Sequence, residues 1–107
     1  MIKAIIDIGT NTFNLLIAEH CFGDIKKMYS TKRAVALGMG GITQGIITQS
    51  AIERALIALH EFEKIISSYD VDQIKLIATS AVREASNANE FINRVKEELG
   101  RDVQVID

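Results

Sequence analysis

The stretch Asp7-Ile8-Gly9-Thr10-Asn11-Thr12-Phe13-Asn14-Leu15 lies between two apolar runs, Ile2–Ile6 and Leu15–Ala18. Runs of this length, rich in β-branched residues and separated by Gly, Thr and Asn, read as neighbouring strands joined by a tight turn. The turn then carries a carboxylate, a glycine and several small polar side chains. Backbone N–H groups, two threonine hydroxyls and an amide suit an anion, while the Asp7 carboxylate suits a cation. A phosphate chain carrying its magnesium is the simplest ligand with both needs. The same residues also make an ordinary hairpin turn, because Gly, Asn and Asp favour turns for conformational reasons alone. Two features favour the anion reading: Asp7 precedes the turn rather than capping it, and a second loop of similar chemistry lies downstream.

Working outward, strands are expected over about Ile2–Ile8, Phe13–Cys21 and Ile25–Leu37. The third contains Lys26, Lys27, Ser30, Lys32 and Arg33, which suits a half-exposed or edge strand of an antiparallel meander. The glycine-rich segment Gly38-Met39-Gly40-Gly41-Ile42-Thr43-Gln44-Gly45 follows. It lacks the Gly-Lys-Ser/Thr ending of a nucleotide loop and reads first as a flexible connection.

From about Thr48 to Tyr69 the period becomes helical, with Ile52, Ala55, Leu56, Leu59, Phe62, Ile66 and Tyr69 on one face. Ser50 with Glu53 has capping-box spacing, and Thr48 is an equally good cap. His60 falls on the exposed side or its margin. Ile74–Thr79 is the short continuous apolar run of a central strand buried on both faces. A second helix is expected over about Ala88–Leu99, with Asn87 as its cap and Gly100 as its stop, then a last strand at Val103–Ile106. The order β-β-β-α-β-α-β predicts an α/β fold, a mixed sheet with helices packed on it. This is the order of a ribonuclease-H-like lobe of the actin, sugar-kinase and chaperone-ATPase group. A final strand with no helix after it leaves one sheet face short of cover, so an incomplete lobe is expected, a fragment or a chain that needs a partner.

Composition sets the outer limits. The chain has 107 residues, 48% apolar and 24% charged, which fits one small globular domain or a piece of a larger one. A net charge of −2 argues against bulk electrostatic binding of nucleic acid or an anionic membrane, so a polyanion must be held by local groups. Cys21 is the sole cysteine, which excludes an intrachain disulfide and leaves a small packing residue at a strand end as its expected role. Met1-Ile2-Lys3-Ala4 runs straight into a strand without a signal-like segment, and no apolar run approaches the roughly 18–20 residues of a membrane span. The expected location is the cytoplasm.

The second loop, Thr79-Ser80-Ala81-Val82-Arg83-Glu84-Ala85, lies where the buried strand gives way to helix. Small hydroxyl residues at such a junction offer amides and positive dipole to an anion. A cation at Arg83, in the first helical turn, is disfavoured by the dipole by up to about 1 kcal/mol. An anion between the amides and the guanidinium would reverse that cost and add charge-assisted bonds of roughly 1.5–3 kcal/mol. The plain alternative is a solvated Arg83 paired with Glu84 or Asn87. Lys32 and Arg33 read as a solvated face rather than part of the groove.

With these segments in hand, the chain resembles the beginning of an exopolyphosphatase/guanosine-pentaphosphate phosphohydrolase (Ppx/GppA) family member. Ala4–Thr12 resembles the family's first phosphate motif, and Leu37-Gly38 through Gly45 resembles its glycine-bearing connection. Ala78-Thr79-Ser80-Ala81-Val82-Arg83-Glu84-Ala85-Ser86-Asn87 resembles its Ala-Thr-Ser-Ala-x-Arg-x-Ala-x-Asn signature. The resemblance implies the N-terminal part of the first ribonuclease-H-like lobe over residues 1–107, the rest of that lobe and a second lobe lying elsewhere.

It further implies magnesium-assisted removal of terminal phosphate from inorganic polyphosphate or guanosine pentaphosphate, with no role for nucleic acid or membrane, and a homodimer when complete. Asp7 would help position Mg2+, Gly9, Thr10 and Asn11 would hold one phosphate, and Thr79, Ser80 and Arg83 would hold phosphate across the cleft. Asn14 departs from the basic or histidine residue often found at its position. The family's water-activating glutamate lies beyond a strand like Val103–Ile106, so no catalytic residue is expected within this chain, and alone it should be inactive and bind phosphate weakly. Rival readings are a sugar- or acetate-kinase-like phosphotransferase lobe and a non-catalytic phosphate-sensing module. Polyphosphate and guanosine pentaphosphate are not separated by these residues.

Overall fold

Alternation decides which way the first strands face. In β1 (Ile2–Ile8), Ala4, Ile6 and Ile8 are buried while Asp7 is exposed, and in β2 (Thr12–Cys21), Phe13, Leu15 and Ile17 are buried between exposed Asn14 and Leu16. This period of two places one apolar row beneath the helices and leaves the other row outside. β3 (Asp24–Ala34) returns antiparallel to β2 and forms one edge of the sheet. The computed structural model describes residues 1–39 and 45–106. The middle of the glycine-rich segment expected to act as a flexible connection, residues 40–44, lies outside them.

The remaining elements are α1 (Gln49–Ile66), β4 (Gln73–Ala78), the short α2 (Ser80–Glu84), α3 (Ala88–Leu99) and β5 (Val103–Val105). Thr48 wins the competition to cap α1, its hydroxyl accepting from the Ala51 N–H at 3.1 Å. Gly100 ends α3 in the left-handed region at φ 68°. Tyr69 lies beyond the end of α1, where its ring packs against Tyr29 with centroids 6.0 Å apart.

The five strands are ordered β3-β2-β1-β4-β5, with β1, β4 and β5 parallel and the β1–β2–β3 meander antiparallel. This is the α/β, ribonuclease-H-like mixed sheet implied by the element order. Among the described residues the single addition is α2, one turn of helix between β4 and α3.

The steps from β1 to β4 and from β4 to β5 run in the same direction across the sheet. Right-handed crossovers then lay both long helices on the same face. Side-chain contacts fasten α1 to α3 and to the residue just past its end: an Arg94–Glu53 ion pair at 2.8 Å, a His60–Glu98 hydrogen bond at 3.3 Å and an Arg101–Glu63 ion pair at 2.8 Å. His60 is exposed, as expected, and its partner is this surface fence.

The helix placement corrects two expectations. β4 is not buried on both faces: Leu76 and Ala78 are covered, while Lys75 is exposed and Ile77 is half-buried. No helix among the described residues lies over that second face. Cys21 is exposed at the tip of the β2–β3 hairpin and does no packing, because β2 runs past the end of its pairing with β1.

Two outcomes follow from this packing. An added Cβ at Gly9 would stand 2.7 Å from the Thr12 carbonyl oxygen, inside contact distance of backbone. Gly9→Ala should therefore lower unfolding stability by about 1–3 kcal/mol, read by urea denaturation. The Glu98 carboxyl is held below the ordinary carboxylate range by the Arg94 guanidinium first and by His60 second. A depressed folded value stabilises above the ordinary carboxylate range and is lost as pH falls through that lower value. Acid titration of Glu98→Gln should thus show a flatter loss of stability on the acid limb than the parent chain.

Candidate phosphate site at the strand ends

Parallel register brings the two polar loops together. Ile8 of β1 pairs with Ala78 of β4, so Gly9 and Thr79 leave the sheet side by side at its carboxyl edge. The Thr79 N–H still reaches the Ile8 carbonyl at 3.4 Å. One residue further on, Thr10 Oγ1 and Ser80 Oγ lie 3.3 Å apart, a hydrogen bond in which either can donate. Crevices outside the carboxyl ends of parallel strands are the usual ligand positions in α/β sheets.

The first turn is braced from behind. The Asn11 carbonyl accepts from the N–H groups of Val35 and Ala36 at 2.9 and 2.8 Å, and the Thr10 carbonyl accepts from Gly38 at 3.2 Å. Arg54 of α1 fixes that brace, donating from Nε to the Val35 carbonyl and from Nη2 to the Ala36 carbonyl, both at 2.9 Å. Ala36 sits at φ 51°, a left-handed conformation that L side chains adopt rarely. The Thr10 and Asn11 carbonyls are thus occupied, while no described carbonyl accepts the Thr10 or Asn11 N–H.

Behind the second loop, Asn87 departs from its expected role. It makes no side-chain cap on α3. Its Oδ1 accepts from the Ile47 N–H and its Nδ2 donates to the Ile47 carbonyl, each at 2.8 Å. The Ser86 N–H adds a bond to the Gly45 carbonyl at 2.7 Å. Between the two loops and this pinned segment lies a cleft of about 130 Å³ lined by Thr10, Gly38, Gly45–Ile47, Ser80, Ala81, Glu84 and Ala85.

Of the residues singled out from sequence, Thr10 and Ser80 meet at the cleft, with Gly9, Asn11 and Thr79 in the backbone that carries them. Arg83 is placed differently from its expectation. α2 is only five residues long, so Arg83 stands in its last turn as well as its first, and the dipole argument does not apply. Its Nη1 donates to the Ile106 carbonyl at 3.1 Å, just past β5, and Nη2 lies 3.7 Å from Glu84. The guanidinium remains at the same carboxyl edge, since Ile106 extends the ladder by donating to the Ala78 carbonyl at 3.0 Å.

Arg33 turns toward α1, pairing with Glu61 at 3.5 Å and lying over the Phe62 ring, while Lys32 is exposed on β3. Neither lines the cleft. Asp7 is exposed on the uncovered sheet face, opposite Asn14 of β2. Among the described residues no cluster of three or more His, Cys, Asp or Glu is grouped for a metal. A cation here would take one carboxylate from this chain and its other ligands from water and phosphate oxygens, as magnesium does beside phosphates.

Strand order, helix placement and the two facing loops define an α/β lobe of the actin and sugar-kinase type. The chain belongs to the Ppx/GppA phosphatase family, whose sequence model matches residues 16–107. It is similar to the crystal structure of an exopolyphosphatase from Cytophaga hutchinsonii, with 43% identity and a TM-score of 0.96. That match covers 100% of this chain and 34% of the other. A crystal structure of the Aquifex aeolicus Ppx/GppA family member matches at 37% identity and a TM-score of 0.93, over 99% of this chain and 35% of that one. The chain therefore spans about a third of the length of these relatives. Among the described residues, no helix is long and apolar enough to cross a membrane.

Sequence reasoning missed Arg54 and the true partner of Asn87. Both side chains bind backbone groups of residues distant in sequence, and such acceptors leave no mark on residue identity. Arg54→Ala should strand two partly covered carbonyls and cost about 2–3 kcal/mol. Arg54→Lys, with a single ammonium in place of the planar fork, should recover less than half of that in thermal denaturation.

Proposed function

We propose that this chain forms the phosphate-gripping part of the first lobe of a phosphohydrolase, one that removes terminal phosphate from inorganic polyphosphate or guanosine pentaphosphate. The observation that carries the reading is the Thr10–Ser80 hydroxyl pair, 3.3 Å apart at the carboxyl ends of adjacent parallel strands. A phosphate seated beside the pair accepts from the N–H groups of Thr10 and Asn11 and from the hydroxyl proton that the Thr10–Ser80 bond leaves free, the second proton becoming available only when that bond is given up. Family membership and the exopolyphosphatase relatives support a phosphatase-type parent.

In this reading Gly9, Thr10 and Asn11 grip one phosphate and Thr79 and Ser80 the next. Arg83 swings from the Ile106 carbonyl to a phosphate oxygen when the site fills, exchanging a neutral acceptor for a charged one. Asp7 would help hold Mg2+, which when bound would supply neutralisation of phosphate charge and polarisation of the phosphoryl group. Among the described residues the one carboxylate lining the cleft is Glu84, exposed and beside Arg83. A shielded base for water is therefore supplied from beyond these 107 residues, and the chain alone releases no phosphate. The remainder of a two-lobed, homodimeric parent in the cytoplasm completes the site.

Thermal denaturation with tripolyphosphate and Mg2+ tests this reading. A ligand that binds only the folded state raises the midpoint by mass action. The rise should be small, increase with ligand concentration, and vanish in Thr10→Val and Ser80→Ala. No rise at millimolar tripolyphosphate would reject the phosphate grip, and phosphate release by the purified chain would reject the placement of the base.

A further inference from the structure

Asn87 performs a task that neither the fold nor the phosphate grip requires of an asparagine. Its amide pairs with the backbone of one residue 40 positions away, accepting from the Ile47 N–H and donating to the Ile47 carbonyl at 2.8 Å each. This is a two-bond bridge of the kind strands exchange, made here by a side chain. It needs one donor and one acceptor on the same planar group, which among side chains only Asn and Gln possess in that form. Gln would move the amide outward by about one C–C bond, roughly 1.5 Å. Asp would keep the bond to the Ile47 N–H but turn an oxygen toward the Ile47 carbonyl.

The bridge does not act alone. The Ser86 N–H bonds the Gly45 carbonyl at 2.7 Å, so consecutive residues of one segment hold both ends of the other. Gly45 takes φ 63°, reversing the chain immediately before the bridge. Ile47 is 1% exposed, its side chain sunk in the core, and Thr48 begins α1. The segment Gly45–Ile47 is therefore gripped on its backbone by Ser86 and Asn87 and on its side chain by the core. That segment is one wall of the cleft, and Ser80, Ala81, Glu84 and Ala85 are the wall facing it.

We infer that Asn87 is a positioning residue: its amide sets the separation of these two walls, and with it the setting in which Thr10 and Ser80 meet. Ligand affinity enters through the proposed phosphate grip, but the geometric claim stands without a ligand.

The test uses the 15N-labelled chain, its variants Asn87→Ala and Asn87→Asp, and Arg101→Ala as a control that loses a remote ion pair with Glu63. Amide exchange at Ile47 and Ser86 should quicken about tenfold in Asn87→Ala, as expected for loss of hydrogen bonds in this range. The Thr10 and Ser80 amide resonances should shift in both Asn87 variants and stay in place in Arg101→Ala. Tripolyphosphate with Mg2+ should bind about tenfold more weakly to both Asn87 variants at unchanged affinity for the control, the size expected from one or two lost bonds. Should Asn87→Ala unfold, the isosteric Asn87→Asp carries the comparison.

If both Asn87 variants lower the denaturation midpoint while Thr10 and Ser80 keep their resonances, Asn87 is a structural brace and the inference is wrong. If the parent chain binds no tripolyphosphate, the phosphate grip fails, and the ligand-free resonances still decide the role of Asn87.

Discussion

The pairing of β1 with β4 is the constraint from which the rest of the site follows. Parallel register sets Ile8 beside Ala78. Because the strands run in the same direction, both chains leave the sheet at the same edge. Their next polar residues then meet without any long side chain reaching across. Had β4 paired antiparallel to β1, the Thr79–Asn87 segment would emerge at the opposite end, beside Met1. A one-residue slip would instead exchange buried Leu76 with exposed Lys75 and bury a charge beneath the helices. Burial of Leu76 and Ala78 therefore fixes the register, and the register fixes the hydroxyl pair.

Much of this was legible in the residues because local rules and tertiary packing agree. The two-residue alternation of Ala4, Ile6 and Ile8, the helical spacing of Ile52 through Ile66, and Gly100 after Leu99 each specify an element that the fold retains. Disagreement comes where a residue's partner lies far along the chain. Asn87 has the look of a helix cap because caps are recognised by neighbours in sequence, yet its amide is spent on Ile47. Arg54 reads as one more charged residue on a helix, although it holds the strand exit that braces the first loop. Ile74–Thr79 reads as doubly buried from its apolarity alone. Which face a helix covers depends on the direction of two crossovers, and no single run of residues encodes that.

Arg83 and Asn87 show how one short signature divides labour. Both lie in the Ala78–Asn87 segment, and both side chains leave the loop that carries them. Asn87 reaches back to the Gly45–Ile47 wall, whereas Arg83 reaches sideways to the end of β5. Their placements differ in permanence. The Asn87 amide is satisfied twice by the backbone of one residue in a partly buried setting, where breaking the pair leaves backbone groups unpaired. The Arg83 guanidinium makes one exposed bond to a carbonyl and a loose pair with Glu84, both easily exchanged for water or for a stronger acceptor. A fixed amide and an exchangeable cation on one loop suit a site whose walls are built before a ligand arrives and whose charge is committed only afterwards.

The electrostatics of the chain point the same way. With a net charge of −2, and with Arg33, Arg54, Arg94 and Arg101 all bound to partners within the fold, little long-range field draws a polyanion in. In the proposed grip, recognition would then come at contact, from groups whose direction matters more than their charge. Hydroxyls and backbone N–H groups have that property: they are dipoles, effective only when an acceptor sits along their bonds. Neutral dipoles hold a phosphate without cancelling its charge, so in the proposed grip neutralisation would fall to a cation carried in with the ligand, beside Asp7, and to Arg83. A grip built this way is weak in isolation and gains strength as further walls exclude water, because the same dipoles act more strongly in a drier surrounding. Under the proposed function, the open carboxyl edge of this sheet would be one half of a clamp, whose strength depends on what closes over it.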